Sequence, residues 1–169
     1  MHQPTIYATK QAIIQQHEYG NLKFYIDLHG HVNKYSTFIY GNALKGFDQV
    51  SNILFAKLLS MNSLHFDFAS CNFTESNMKV KDKIDGTSRE GCSRVAIYQE
   101  TGLVNCYTIE ASFMGAKRMN NLSAKFVKEK NVIEHEALIT NPHSKLYEGK
   151  GGSYTPEIYG DMGRVSFLF

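Results

Sequence analysis

Asp27-Leu28-His29-Gly30-His31 places a histidine where the apolar stretch Leu22 to Leu28 runs out. Glu110 stands inside Tyr107-Thr108-Ile109-Glu110-Ala111-Ser112-Phe113, one carboxylate in an otherwise strand-like apolar pattern. Burying a carboxylate is costly unless something pairs or uses it. A histidine and a glutamate at such positions suit a zinc ligand and a general base. Zinc hydrolases need three protein ligands and an open position for water, and a nearby carboxylate then takes the water's proton. His29 suits one ligand, because sites in open α/β sheets lie at the carboxyl ends of strands. Alternate residues of a strand share a face, so His31 is a second candidate. Taken alone, a His-x-His pair favours a hydrogen-bonded structural role. No His-x-x-Glu pair occurs in the sequence to complete a zinc site.

Other constellations carry less. Gly149-Lys150-Gly151-Gly152-Ser153 lacks the spacing of a phosphate-binding loop and reads as a flexible connection. Cys71, Cys92 and Cys106 form no C-x-x-C pair, so neither a disulfide framework nor a zinc knuckle follows. Buried, inert thiols are expected rather than a thiol nucleophile working with His29. His65, His135 and His143 have no ligand spacing. Asp27 suits either an orienting partner or a turn or cap residue.

These residues need elements to hold them. Pro4 to Glu18 reads as a helix closed by Gly20. Leu22 to Leu28 and Thr37 to Tyr40 read as strands, the second closed by Gly41-Asn42. Asp48 to Met61 is helical, with Val50, Ile53, Leu54, Leu58 and Met61 at 3–4 spacing. Phe66 to Phe73 suits an irregular strand. Thr74 to Gly91 is polar, with turn signals at Asp85-Gly86 and Glu90-Gly91. Arg94 to Gln99 and Val104 to Ser112 read as two strands joined by a short hairpin loop. Alternation places Tyr107 opposite Thr108 and Glu110, in the core. Met114 to Lys130 is polar and less patterned, and Asn141 to Ser153 reads as a long loop. Thr155-Pro156 reads as an N-cap and first-turn proline opening a last helix through Leu168. Alternating strands and helices predict an α/β layered domain with a mixed sheet.

A chain of 169 residues, 43% hydrophobic with ten Tyr and eleven Phe, can build the core of one domain or a large piece of one. A net charge of +2 is too small to argue for nucleic acid, and the basic stretch Lys117 to Lys130 is interleaved with acids and reads as a solvated face. No apolar run approaches the roughly 20 residues of a membrane span, and the first residues carry no secretory pattern. Reduced thiols and these absences predict a cytoplasmic protein without membrane attachment.

Several blocks, in order, resemble the cytosolic carboxypeptidase branch of the zinc carboxypeptidases. They are Pro4-Thr5-Ile6-Tyr7, Asp27 to His31, Tyr40-Gly41-Asn42, Glu90-Gly91-Cys92-Ser93-Arg94-Val95, Asn105 to Phe113, and Tyr154-Thr155 with Met162-Gly163. The resemblance covers nearly the whole chain and is weakest from Lys117 to Gly152. It implies an α/β/α zinc carboxypeptidase fold with a mixed sheet, incomplete at its N-terminal side, in which residues 1–169 form the C-terminal portion of one catalytic domain. It implies a metallocarboxypeptidase that uses zinc-activated water to release C-terminal residues, glutamates above all, from acidic tails such as that of polyglutamylated tubulin. His29 then matches a zinc ligand and Glu110 the general base. Arg94 matches an arginine of the pocket for the departing residue, where a planar guanidinium suits a glutamate side chain. The Gly30–His31 peptide matches a position that is cis in the wider family. Departures are the absent His-x-x-Glu motif, the absent Asn-Arg pair for the terminal carboxylate, Val32 in place of Ser, and Cys92-Ser93 in place of Thr-Gly. A second reading therefore stays open: a truncated or degenerate homologue that binds acidic tails without hydrolysis.

Overall fold

A computed structural model describes residues 3–81, 86, 88–116 and 153–166. The predicted basic stretch and most of the predicted Asn141–Ser153 loop lie outside them. The chain divides into two compact units. The first takes residues up to Leu28, Tyr40–Leu54 and Asn72–Ile109; the second takes His29–Ile39, Phe55–Cys71 and residues from Glu110 onward.

A mixed three-stranded sheet is built from β1 (Tyr25–His31), β2 (Thr37–Tyr40) and β3 (Cys106–Ser112), in the order β1-β3-β2. Together with the helices it makes the expected α/β class. The middle strand, β3, is buried along almost its whole length, as a strand covered on both faces should be. The chain enters β1 three residues later than the apolar run suggests, because pairing starts where the Tyr25 N–H donates to the Asn105 carbonyl at 2.9 Å. His29 is therefore inside the strand rather than just past it.

In the first unit, α1 (Pro4–Glu18) starts with Pro4 in its first turn, where the missing N–H costs nothing. It packs against α4 (Ser93–Thr101). The surface pair Lys10–Glu100 at 2.5 Å links the two, and such half-exposed pairs add little. α4 corrects the strand expected over Arg94–Gln99. A short apolar run such as Val95-Ala96-Ile97 does not discriminate strand from helix, and Gly102, with φ 70°, ends the segment as a left-handed helix stop rather than a hairpin turn. The expected strand over Phe66–Phe73 is reduced to two isolated parallel bridges, Thr37 with Phe66 and Tyr40 with Asn72. The Asp67 side chain accepts from the Ala69 N–H at 3.0 Å and bends the intervening residues into a 3₁₀ turn.

α2 (Gly46–Asn62) forms where expected, but with a different face inward. Asn52, Phe55, Ala56 and Leu59 are buried, whereas Val50, Leu54 and Met61 are exposed. The reason is polar: the Asn52 side-chain amide donates to the Val104 carbonyl at 2.6 Å, and the Asn52 carbonyl accepts from the Tyr107 hydroxyl at 3.1 Å. Two hydrogen bonds to a buried asparagine outweigh the exposure of a valine.

The second unit buries Phe38, Leu59, Phe66, Ile158, Met162 and Val165. α5 (Pro156–Ser166) opens as predicted, with the Thr155 hydroxyl accepting the Ile158 N–H at 3.4 Å. Its buried positions 158, 162 and 165 follow the helical repeat.

β1 is an outer strand of this sheet among the described residues. Leu28, Val32 and Phe113 are each more than 60% exposed. An outer strand with exposed apolar neighbours is a template for pairing. The isolated chain is expected to self-associate in sedimentation analysis, with Leu28→Lys reducing the association. A monodisperse monomer at high concentration would contradict this.

Candidate active site

The Phe113 N–H donates to the His31 carbonyl at 3.0 Å, which sets His31 beside Ser112 in the parallel register. Two residues back on each strand, His29 stands beside Glu110. Neighbouring strands lie about 4.8 Å apart, and paired residues point to the same side of the sheet. His29 is an exposed residue, while Glu110 is only 8% exposed. No hydrogen-bond or ion-pair partner for the Glu110 carboxylate occurs among the described residues. The arrangement provides a shielded carboxylate beside an accessible imidazole.

His31 plays a different part. Its Nδ1 accepts the backbone N–H groups of Asn33 and Lys34, both at 3.1 Å, and its ring packs on Phe38 with centroids 5.4 Å apart. This is the structural role open to a His-x-His pair, and it falls to one of the two. Gly30 lies under the Phe113 ring: a Cβ there would sit 2.2 Å from the ring's tip, so that exposed ring would have to move aside. The Gly30–His31 peptide is trans, since no cis bond occurs among the described residues; the expected cis bond is corrected. A non-proline residue avoids the cost of the cis form unless its surroundings impose it.

The expected zinc does not find a complete site in these residues. Among the described residues no group of three or more His, Cys, Asp or Glu is placed to hold a metal ion. His29 supplies one donor where zinc takes three or four.

Arg94 belongs to the first unit and is only 3% exposed. Its Nη2 donates to Asn77 Oδ1 at 2.7 Å, its Nε to the Gly41 carbonyl at 3.4 Å and its Nη1 to Cys92 Sγ at 3.4 Å. Its guanidinium carbon lies 5.7 Å from the centre of the Tyr40 ring. Asn42 completes the cluster by donating to the Arg94 carbonyl at 3.2 Å. Tyr40-Gly41-Asn42 and Arg94, far apart in sequence, are thus one constellation. Gly41 cannot carry a side chain without displacement, because a Cβ would meet the Phe73 ring at 2.3 Å and Asn52 Oδ1 at 2.8 Å.

Asp27 serves α4. The Ser93 hydroxyl donates to its carboxylate, which places an acid at the first turn of a helix, where negative charge is favoured. Burial raises the pKa of the neighbouring Tyr25, and a hydrogen bond with Ser93 partly offsets this.

Sequence reasoning missed Asn77. It stands on α3 (Glu75–Lys79), within a stretch read only as polar and turn-rich. The signal that could have found the helix was Thr74, whose hydroxyl accepts the Asn77 N–H at 3.3 Å as an N-cap does.

All three cysteines are free. Burial pushes the Cys71 and Cys106 thiols up to about 12, which holds them neutral and inert as nucleophiles. Their contribution to stability is present below the unfolded thiol value near 9 and is lost as pH rises toward about 12. Urea midpoints measured from pH 8 to 11 are expected to fall above pH 9, and less so in Cys106→Ala at its own baseline. A flat profile would contradict this.

No protein-family model matches the chain. It is 42% identical over 147 residues to the zebrafish (Danio rerio) protein named cytosolic carboxypeptidase-like protein 5, covering 86% of this chain and 16% of that protein. It is 46% identical over 147 residues to the human protein of the same name, with the same coverage. It is 32% identical over 113 residues to human cytosolic carboxypeptidase 6, covering 65% of this chain and 21% of that protein. The chain thus spans about one sixth of the length of the first two relatives.

Proposed function

This chain belongs to the cytosolic carboxypeptidase family, and from that membership we propose that it forms part of a metallocarboxypeptidase releasing C-terminal residues, glutamates above all, from acidic tails such as that of polyglutamylated tubulin. The observation that carries the reading is Glu110: a buried carboxylate, in register with His29, with no polar partner among the described residues. A buried carboxylate without a polar partner among the described residues suits a general base. In this role it accepts a proton from the attacking water and gives one to the departing amine. His29 is proposed as one ligand to zinc, whose remaining ligands are not among the described residues. Arg94 is proposed to meet the acidic side chain of the departing residue. Support comes from its buried guanidinium, which an amide, a carbonyl, a cysteine sulfur and an aromatic face help to orient.

A cytoplasmic setting is part of the proposal. The relatives are named cytosolic, and among the described residues no helix is long and apolar enough to cross a membrane.

The second reading is a homologue that binds acidic tails without cutting them; what favours it is that no group of three or more metal-ligating side chains is gathered among the described residues. One experiment separates the two. The full-length protein is incubated with a peptide ending in a run of glutamates, with and without a zinc chelator, and free glutamate is measured. Release that the chelator stops is the expected result. Binding of the peptide without release would establish the second reading instead.

A further inference from the structure

We propose that Asn77 is the positioning residue for the Arg94 guanidinium, and that through it Asn77 sets a preference for a C-terminal glutamate over a neutral residue. The inference rests on the reading of Arg94 as the group that meets the acidic side chain.

A guanidinium reads a carboxylate well only when its plane is held in place, since a paired hydrogen bond has a narrow geometry. An arginine side chain has several rotatable bonds, so something must fix the plane beforehand. Of the three hydrogen bonds described above from the Arg94 side chain, the shortest is the 2.7 Å bond from Nη2 to Asn77 Oδ1. Arginine has donors only, so the amide must turn its oxygen toward it. The contacts from Nε and Nη1 are both 3.4 Å, and one of them goes to sulfur, a weak acceptor. Asn77 therefore provides the strongest single restraint among these three.

Asn77 is itself held. It is 8% exposed, and its N–H is capped by Thr74. The Thr74 N–H and hydroxyl donate to Asn72 Oδ1 at 2.9 and 2.8 Å. The Asn72 carbonyl accepts the Gly41 N–H at 3.0 Å, and the Gly41 carbonyl accepts from Arg94. On the far side of Asn77, Met78 Sδ accepts the Ala43 N–H at 3.1 Å. The short helix that carries Asn77 is thus tied to the Tyr40-Gly41-Asn42 segment that grips the same arginine. An asparagine at this point orients the guanidinium without cancelling its charge. An aspartate of the same size would orient it and neutralise it.

The test uses the full-length protein with Glu110→Gln as background, so that bound peptide is not consumed. Equilibrium binding is measured for two peptides that differ only in the last residue, glutamate or glutamine. The parent is expected to prefer the glutamate peptide by about tenfold or more. Asn77→Asp is expected to bring that ratio close to one while binding of the glutamine peptide stays within about twofold. Asn77→Ala, which unpins the plane and keeps the charge, is expected to lower the ratio partway, and it carries the test if Asn77→Asp does not fold. A loss of affinity shared equally by both peptides would mean a merely structural role and overturn the inference. A preference that survives both Asn77 variants but disappears in Arg94→Gln would overturn the inference and leave the reading of Arg94 standing. A parent without preference, or an Arg94→Gln variant that keeps it, would overturn that reading and the inference with it.

Discussion

Glu110→Gln in the full-length protein is expected to lower the rate of glutamate release by about 10²- to 10⁴-fold. Glutamine has nearly the size of glutamate, so the packing of β3 is kept and the ability to accept a proton is lost. The position makes the effect large: Glu110 is shielded, shares a face with His29 and lies one strand away from it. A base in such a place is already oriented, so its removal is felt in kcat rather than in tail binding. Tail affinity is accordingly expected to change by less than about threefold, as for a group that acts only in the transition state. A kcat within fivefold of the parent would sink the assignment of Glu110 as base. A fall in affinity with kcat preserved would make Glu110 a binding residue instead.

On the opposite face of the same strand, Tyr107→Ala is expected to destabilise the chain by about 3–5 kcal/mol, the range for removing a fully buried aromatic. Tyr107 has no exposed surface. Its hydroxyl is shared between the Asn52 carbonyl at 3.1 Å and Asn105 Oδ1 at 3.0 Å, and its ring lies 6.4 Å from that of Phe24. Tyr107→Phe keeps the ring and removes only the hydroxyl's hydrogen bonding, for an expected cost of about 0.5–1.5 kcal/mol. Domains are stable by only about 5–15 kcal/mol, so the alanine variant approaches the limit of folding. Urea unfolding at constant slope would report both losses as shifts in midpoint. Equal shifts for the two variants would mean that the ring contributes little and the hydroxyl nearly everything.

The family resemblance was legible in the sequence, because short blocks such as Asp27 to His31 and Asn105 to Phe113 keep their residue types in order. So were α1, β2, the start of α5 and the burial of Tyr107, since these rest on local signals: a first-turn proline, a hydroxyl cap, a strand alternation. What the tertiary structure decided is of another kind. His29 and His31 are alike in sequence, yet a turn takes up one and the register with β3 sets the other beside Glu110. Arg94 read as part of a strand and proved to open a helix. Asn77 carried no chemical signal until it met that arginine, 17 residues away along the chain. α2 kept its helical period while turning Asn52 inward and Val50 outward. The placing of His29, the partner of Asn77 and the facing of α2 depend on hydrogen bonds between residues distant in sequence. Local patterns of apolarity carry only the period of an element; its facing and its partners are set when buried polar groups must find one another.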